Sequence, residues 1–239
     1  MIDTSYDEIL QTGLPGDFTV QKLVHGISWT AAVLSDGRTG VAMHTPGETV
    51  ARMFESLLGL PLSQAGQAML SWNMEEASEA FAAVNAFYNH PGCGHVKPEA
   101  RTLDGIEIRG RTVGMVGMMI GHSNMTQENF ISAKKLYIMD REEKAGALPD
   151  SASEFYLPLC DLVIITGSAT INKTMPRLLE LSRNAEVILT GPTVTCCPAL
   201  LALGINRLSG RVITESDAML KAIVEKRTSV NRFSVPFQC

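Results

Sequence analysis

A cluster of small polar residues follows an apolar run in the second half of the chain. The run Leu162–Ile165 is short, continuous and rich in β-branched residues, which predicts a central parallel strand buried on both faces. The residues after it that could contact a ligand are Thr166, Gly167, Ser168, Asn172, Lys173 and Thr174. Open α/β sheets bind ligands at the carboxyl ends of their strands, and glycine permits close backbone approach. We therefore expect a ligand-binding loop here.

Two other predicted strands end in similar residues. Gly117 follows a strand that ends at Val116, and Gly191, Pro192 and Thr193 follow a strand that begins at Glu186. The carboxyl ends of parallel strands meet at one edge of a sheet, so we expect these residues to line the same crevice.

The adjacent pair Cys196-Cys197 could bind a soft metal ion, because thiolates prefer such ions. Adjacent side chains point in different directions, however, so burial of at least one thiol is the favoured alternative. Cys93, His95 and His122 could complete a metal site only if folding brings them together. The five cysteines are odd in number and irregularly spaced, which indicates reduced thiols rather than a disulfide framework.

Acid-base chemistry has three candidate residues, which are Lys173, Asp140 and His122. Asp140 ends a predicted strand where a ribose-binding acid could lie, although an Asp at this position more often caps a turn. The first βα turn does not fit G-x-G-x-x-G, so NAD or FAD binding is disfavoured. The sequence also lacks the Walker, G-x-S-x-G and H-E-x-x-H motifs. The remaining histidines, His25, His44 and His90, have no distinctive spacing and are expected to be structural or solvated.

Composition narrows the class of protein. The chain has 239 residues, 45% of them hydrophobic, and a net charge of -5, which predicts a globular protein with a sizeable core. The acidic balance argues against nucleic-acid partners, and the absence of an apolar stretch of about 18 residues argues against a membrane partner. The acidic N-terminus lacks signal-peptide features, so we expect a cytoplasmic protein. Homo-oligomer formation is left open.

The elements that must position these residues fall into two predicted domains. Residues 1–100 read as three antiparallel strands followed by helices over 48–58, 63–71 and 74–88, which is an α+β unit. Residues 101–239 alternate strands and helices, and the economical arrangement is a Rossmann-like parallel sheet. The predicted fold class is therefore α/β, with a smaller α+β domain first.

The phrase TGSATINKT, the later GPTVTCCPALLALGINRLSG and the phrase NAFYN at residues 85–89 together resemble a known family, described as putative heavy-metal chelation. The resemblance implies an enolase-N-terminal-like domain packed against the Rossmann-like domain, with a site in the cleft between them. Carried over position by position, it marks Thr166, Gly167, Ser168, Asn172, Thr174, Gly191 and Pro192 as cleft residues. Thr193 replaces the family's usual serine, and Cys196-Cys197 stands where the family usually has residues without thiols.

The sequence thus predicts a protein that binds a small anionic ligand or a heavy or transition metal ion in an interdomain cleft. Hydroxyl and amide groups after the strands would hold the ligand, and Cys196 or Cys197 would ligate a soft metal. The alternative is an enzyme, a lyase or transferase, that acts on a small organic or cofactor-like substrate in the same cleft.

Overall fold

The computed structural model describes residues 5–47, 49–121, 125–226 and 229–239. The first part of the chain forms a three-stranded antiparallel sheet with helices, as the sequence predicts. Its elements are α1 (Ser5–Thr12), β1 (Val20–His25), β2 (Trp29–Leu34), β3 (Thr39–Met43), α2 (Leu62–Ala65) and α3 (Met74–Tyr88). The strands pair in the order β1-β2-β3.

Helix α3 covers the small sheet and is almost entirely buried. The Asn73 side chain caps its first turn by accepting from the Glu76 amide at 3.0 Å, and the alanine-rich sequence that follows favours helix. The helix approaches β3 so closely that a Cβ on Gly40 would lie 2.1 Å from the Ala86 backbone nitrogen. Only glycine fits at this crossing.

The second part of the chain forms a seven-stranded, mostly parallel sheet. Its strands are β4 (Thr112–Val116), β5 (Lys135–Asp140), β6 (Leu148–Pro149), β7 (Leu162–Thr166), β8 (Glu186–Thr190), β9 (Arg207–Ile213) and β10 (Ser234–Gln238). Their order is β10-β9-β8-β7-β4-β5-β6, with only β10 antiparallel to its neighbour. The six parallel strands follow the Rossmann order, so the topological switch point lies between β4 and β7.

The connecting helices are short. They comprise α4 (Ser153–Tyr156), α5 (Ser168–Ile171), α6 (Met175–Leu181) and α7 (Ser216–Val224). Single 3₁₀ turns or short 3₁₀ helices cover Gly66–Leu70, Gln127–Phe130, Asp150–Ala152, Leu157–Leu159, Pro198–Leu203 and Asn231–Phe233. Among the described residues, no helix has the length and apolar character needed to cross a membrane.

The helix predicted over residues 48–58 is wrong for residues 49–58, and Glu48 lies outside the described residues. This segment is irregular because its backbone amides bond to a carboxylate elsewhere. Met53 and Phe54 both donate to the buried Glu76 side chain at 2.8 Å. The sequence prediction also omitted β6 and β10, two edge strands that each contain a proline.

Two asparagines join the two halves of the molecule: Asn85 lies in α3, and Asn89 is the C-cap of that helix. Asn85 donates to the Val41 and Thr193 carbonyls at 2.9 and 3.0 Å, and accepts from the Thr195 hydroxyl at 2.7 Å. Asn89 donates to the Val194 carbonyl at 2.8 Å and accepts from an amide of the same loop. The NAFYN phrase therefore holds the loop after β8 in place.

Candidate functional site

His25, Glu75 and Glu79 form a group that could hold a metal ion. Their ligand atoms all lie within 4.8 Å of one another, and no other group of three among the described residues meets that condition. Glu75 and Glu79 lie four residues apart on α3, which places both carboxylates on one face of the helix. His25 ends β1 and faces them, with its Nε2 3.0 Å from a Glu79 oxygen.

Arg52 supports this group from the irregular segment before α2. Its guanidinium pairs with both oxygens of Glu79, and its Nη1 lies 3.2 Å from Oε1. Its Nε also lies 3.9 Å from the fully buried Glu76 carboxylate. Glu79 is 4% exposed, so these partners offset the cost of burying its charge.

The electrostatics of the group follow from these contacts. Burial raises the pKa of the Glu79 carboxyl, but hydrogen bonds from His25 and Arg52 outweigh burial and lower the pKa below its ordinary value. The hydrogen bond to Glu79 raises the pKa of His25, and burial lowers the pKa of the neighbouring His44. His44 bonds to the Thr30 hydroxyl at 3.0 Å, and its ring centroid lies 5.8 Å from that of His25.

This arrangement offers one imidazole nitrogen and two carboxylates to a cation. Ligand atoms of these types, one nitrogen and carboxylate oxygens, favour zinc, manganese and iron over soft metal ions. His25 is exposed and Glu75 is half-buried, so an ion can reach the group from solvent.

The structure brings three of the predicted strand-end residues together at the switch point. A Cβ on Gly117, whose φ is +89°, would lie 2.8 Å from the Thr166 methyl carbon. The Thr166 and Ser168 hydroxyls lie 3.2 Å apart, and both residues are half-buried. Gly167 is buried, and a Cβ there would lie 2.8 Å from the Val194 backbone nitrogen. Gly167 therefore serves close packing between two loops.

The residues after β8 are mostly occupied by protein contacts. The Thr193 hydroxyl accepts from the Met43 amide at 2.9 Å, and Thr193 is 3% exposed. Pro192 is half-buried, and Gly191 lines a small polar cavity that also includes Thr190. Of these residues, Thr193 lies where the small domain meets the larger sheet.

Asn172 and Thr174 bond to each other before α6. The Asn172 side-chain oxygen accepts from the Thr174 amide at 3.2 Å and from its hydroxyl at 2.6 Å. This is a local turn of the kind that asparagine commonly stabilises.

The candidate acid-base residues Lys173 and Asp140 bond to different parts of the protein. Lys173 has a left-handed backbone with φ of 64°, donates to the Met69 carbonyl, and has its pKa lowered by burial. Asp140 accepts from the Met118 and Glu142 amides at 2.7 and 2.9 Å and from Lys144 at 3.0 Å. Asp140 therefore organises the turns after β4 and β5. His122 lies outside the described residues.

The two adjacent cysteines face different neighbours. The Cys196 sulfur lies 3.6 Å from that of Cys93 and 3.7 Å from that of Cys239. Cys197 instead contacts the Tyr88 hydroxyl, and burial raises its thiol pKa. Sequence reasoning grouped Cys196 with its chain neighbour, whereas folding groups it with two distant thiols.

The His25 group was not anticipated from the sequence, which indicated a structural or solvated histidine. One local signal was available, because two glutamates at i and i+4 on a helix present adjacent carboxylates. Its third member lies 50 or more residues earlier in the chain, so only the packing of α3 on the small sheet that contains β1 reveals it.

Comparisons with known proteins agree with this fold. The DUF364 family model, described as putative heavy-metal chelation, matches residues 103–230, and the DUF4213 model with the same description matches residues 6–88. A DUF364 protein of unknown function from Desulfitobacterium hafniense is 32% identical and superimposes with a TM-score of 0.85, over 99% of this chain and 97% of that one.

Two further proteins are similar to this chain. A DUF364 protein of unknown function from Pyrococcus horikoshii, 21% identical, has the same fold with a TM-score of 0.81, over 100% of this chain and 99% of that one. An uncharacterised protein of Methanocaldococcus jannaschii is 28% identical over 159 residues, which is 63% of this chain and only 60% of that protein. From the model that matches residues 103–230 and the full-length likeness at 32% identity, we conclude that this chain belongs to the DUF364 family, described as putative heavy-metal chelation.

Proposed function

We propose that this protein binds a divalent transition-metal ion through His25, Glu75 and Glu79. The observation that carries the proposal is the convergence of one imidazole nitrogen and two carboxylates within 4.8 Å. Ligands at about 2.1 Å from one ion would lie roughly 3–3.5 Å apart, so side-chain movements of about 1 Å would complete the site. The family's description as a chelation family is consistent with this function.

Arg52 would act as the supporting residue for the bound ion. It holds the Glu79 carboxylate in place through two contacts and would partly neutralise it. A ligand carboxylate that is itself hydrogen-bonded is well oriented for an ion. The ion would replace the proton that His25 and Glu79 share at 3.0 Å.

Binding of Mn²⁺ to metal-free protein tests the proposal, because Mn²⁺ favours carboxylate and imidazole ligands over thiols. Glu75→Gln is the sharper variant, since Glu79 also pairs with Arg52 and its loss would disturb the fold. Glu75→Gln should weaken Mn²⁺ binding by more than about tenfold. The exposed Glu99→Gln removes the same charge and serves as the matched control.

Equal Mn²⁺ affinity in Glu75→Gln and Glu99→Gln would refute the site. A further variant, His25→Gln, keeps a polar side chain on an exposed residue and should weaken binding as well. Urea denaturation of each variant in EDTA would separate a lost ligand from a lost fold.

We further propose that a small anionic or metal-bearing ligand binds in the crevice between the two domains. Support comes from the switch point between β4 and β7, where this sheet class binds ligands, and from the neighbouring Thr166 and Ser168 hydroxyls. Helix α3, which carries Glu75 and Glu79, packs against α5, which begins at Ser168.

Inorganic phosphate is a suitable first probe for this crevice. A rise in melting temperature with phosphate and Mn²⁺ should be reduced in Ser168→Ala, because that variant removes a half-buried hydroxyl. An equal rise in melting temperature in Ser168→Ala and the parent protein would refute ligand binding in the crevice, and it would leave the proposal for the His25 site unaffected. A lyase or transferase acting in this crevice, with Lys173 or Asp140 in acid-base work, is the alternative function.

A further inference from the structure

Three thiols from distant parts of the chain meet at the edge of the large sheet. We propose that Cys93, Cys196 and Cys239 form a second metal site, selective for a soft cation such as Cd²⁺ or Cu⁺. This site is separate from the His25 group in residues and in chemistry, and the inference does not rest on the function proposed for that group.

The sulfur positions are close to those of a metal–thiolate centre. Cys196 lies in the middle, 3.6 Å from Cys93 and 3.7 Å from Cys239. Thiolates bound tetrahedrally to an ion at about 2.3 Å lie roughly 3.8 Å apart, so two of the three separations already fit. The three sulfurs do not all lie within 4.8 Å of one another. One rotamer change at Cys93 or Cys239, which moves a sulfur by about 3 Å, could bring the outer two together.

Hydrogen bonds hold the backbone of each cysteine in place before any ion arrives. The Cys196 amide donates to the Asn89 side chain at 2.6 Å, and the Cys93 amide donates to the His90 carbonyl at 2.9 Å. Cys239 exchanges two backbone bonds of 3.0 Å with Leu208. Three separate segments are thus fixed around one point, which reduces the ordering cost of binding.

Burial and access also suit an ion that enters from solvent. Cys196 is 4% exposed, whereas Cys93 and Cys239 are half-buried. The outer thiols can therefore meet the ion first and pass it to the buried one. Cys197 instead contacts the Tyr88 hydroxyl and lies outside these two sulfur–sulfur contacts.

The thiols differ in how readily they ionise. The hydrogen bond with Cys239 raises the pKa of the Cys196 thiol, and the same bond lowers the pKa of the Cys239 thiol. On binding, each thiol would exchange its proton for a metal–sulfur bond, and the protons would pass to solvent.

Titration of reduced, metal-free protein with Cd²⁺ under anaerobic conditions tests this site. We expect one Cd²⁺ per chain by native mass spectrometry, with an ultraviolet sulfur-to-metal charge-transfer band. Cys196→Ser should weaken Cd²⁺ binding by more than about 100-fold, since loss of a ligand exceeds the 10–100-fold effect of an outer partner. Cys160→Ser is the matched control, because Cys160 is a buried thiol bonded to the Tyr156 carbonyl at 3.2 Å.

Cys93→Ser provides a second variant at a half-buried position, where a folding defect is not expected. A band of undiminished strength in both Cys93→Ser and Cys196→Ser would overturn the proposal, as would a Cys93–Cys196 or Cys196–Cys239 disulfide in protein purified anaerobically. The two sites fail independently. Glu75→Gln should keep the Cd²⁺ band, and Cys196→Ser should keep Mn²⁺ binding.

Discussion

The buried amide of Asn85 should contribute several kcal/mol to the stability of the whole chain. Its side chain is fully buried and makes hydrogen bonds of 2.9, 3.0 and 2.7 Å to Val41, Thr193 and Thr195. Asn85→Ala leaves two carbonyls and one hydroxyl without this partner. At about 1–3 kcal/mol for each buried group left unpaired, and with partial relaxation, we expect a loss of roughly 3–5 kcal/mol.

This loss is a large share of the free energy of unfolding of a typical protein, which is about 5–15 kcal/mol. For a chain of this size it corresponds to a fall in melting temperature of roughly 6–20 °C. Urea denaturation followed by circular dichroism measures the free energy directly. The exposed Asn184→Ala is the matched control and should change stability by less than about 0.5 kcal/mol.

A second substitution separates lost hydrogen bonds from lost volume. Asn85→Asp has the same shape and can still accept from Thr195, but its ionised carboxylate would face the Val41 and Thr193 carbonyls. The protonated acid can donate to one of them, so Asn85→Asp should be less stable at pH 8 than at pH 5, relative to the parent protein. A loss below about 1 kcal/mol in Asn85→Ala, or no pH effect in Asn85→Asp, would refute the reasoning.

Three further predictions concern packing and charge. Gly40→Ala should lower the free energy of unfolding in urea by at least about 3 kcal/mol, because the new Cβ would lie 2.1–2.6 Å from the α3 backbone. Gly16→Ala is the control and should change this free energy little, since the nearest atom to its Cβ lies at 3.7 Å. Burial raises the pKa of Asp7 from 3.8 to about 6. The contribution of Asp7 to the free energy of unfolding is therefore complete below about pH 4 and is lost as the pH rises through 6. Asp7→Asn should raise the free energy of unfolding by up to about 3 kcal/mol at pH 8 and leave it unchanged at pH 3.5. The lowered pKa of Glu79 means that its contribution is present above its ordinary value of 4.5 and is lost as the pH falls through the lowered value. In EDTA, Arg52→Gln should therefore narrow the stability difference between pH 7 and pH 3, and an unchanged difference would contradict this account.

Much of the fold follows from local patterns. The run Leu162–Ile165 is continuous because β7 is buried on both faces in the middle of the sheet. Helix α3 matches its predicted bounds of 74–88 because it is long, rich in alanine and capped by Asn73. Residues 49–58 carry a helical pattern too, yet tertiary contacts with Glu76 determine their backbone.

The candidate sites depend on contacts that no local pattern contains. Cys196 has a thiol beside it in the chain, but neighbouring side chains diverge, and the structure pairs it with Cys93 and Cys239 instead. His25 has no distinctive spacing, and it meets Glu79 only because α3 packs on the small sheet in which His25 ends β1.

The sequence by itself determined most of the order of strands and helices, the family, and the loops that end the central parallel strands, since each depends on the period and chemistry of neighbouring residues. Only the tertiary structure decided which carboxylates, imidazoles and thiols meet. Those contacts join residues 43 to 103 positions apart along the chain, between Cys196 and Cys239 and between Cys93 and Cys196, so only the packing of distant segments forms them.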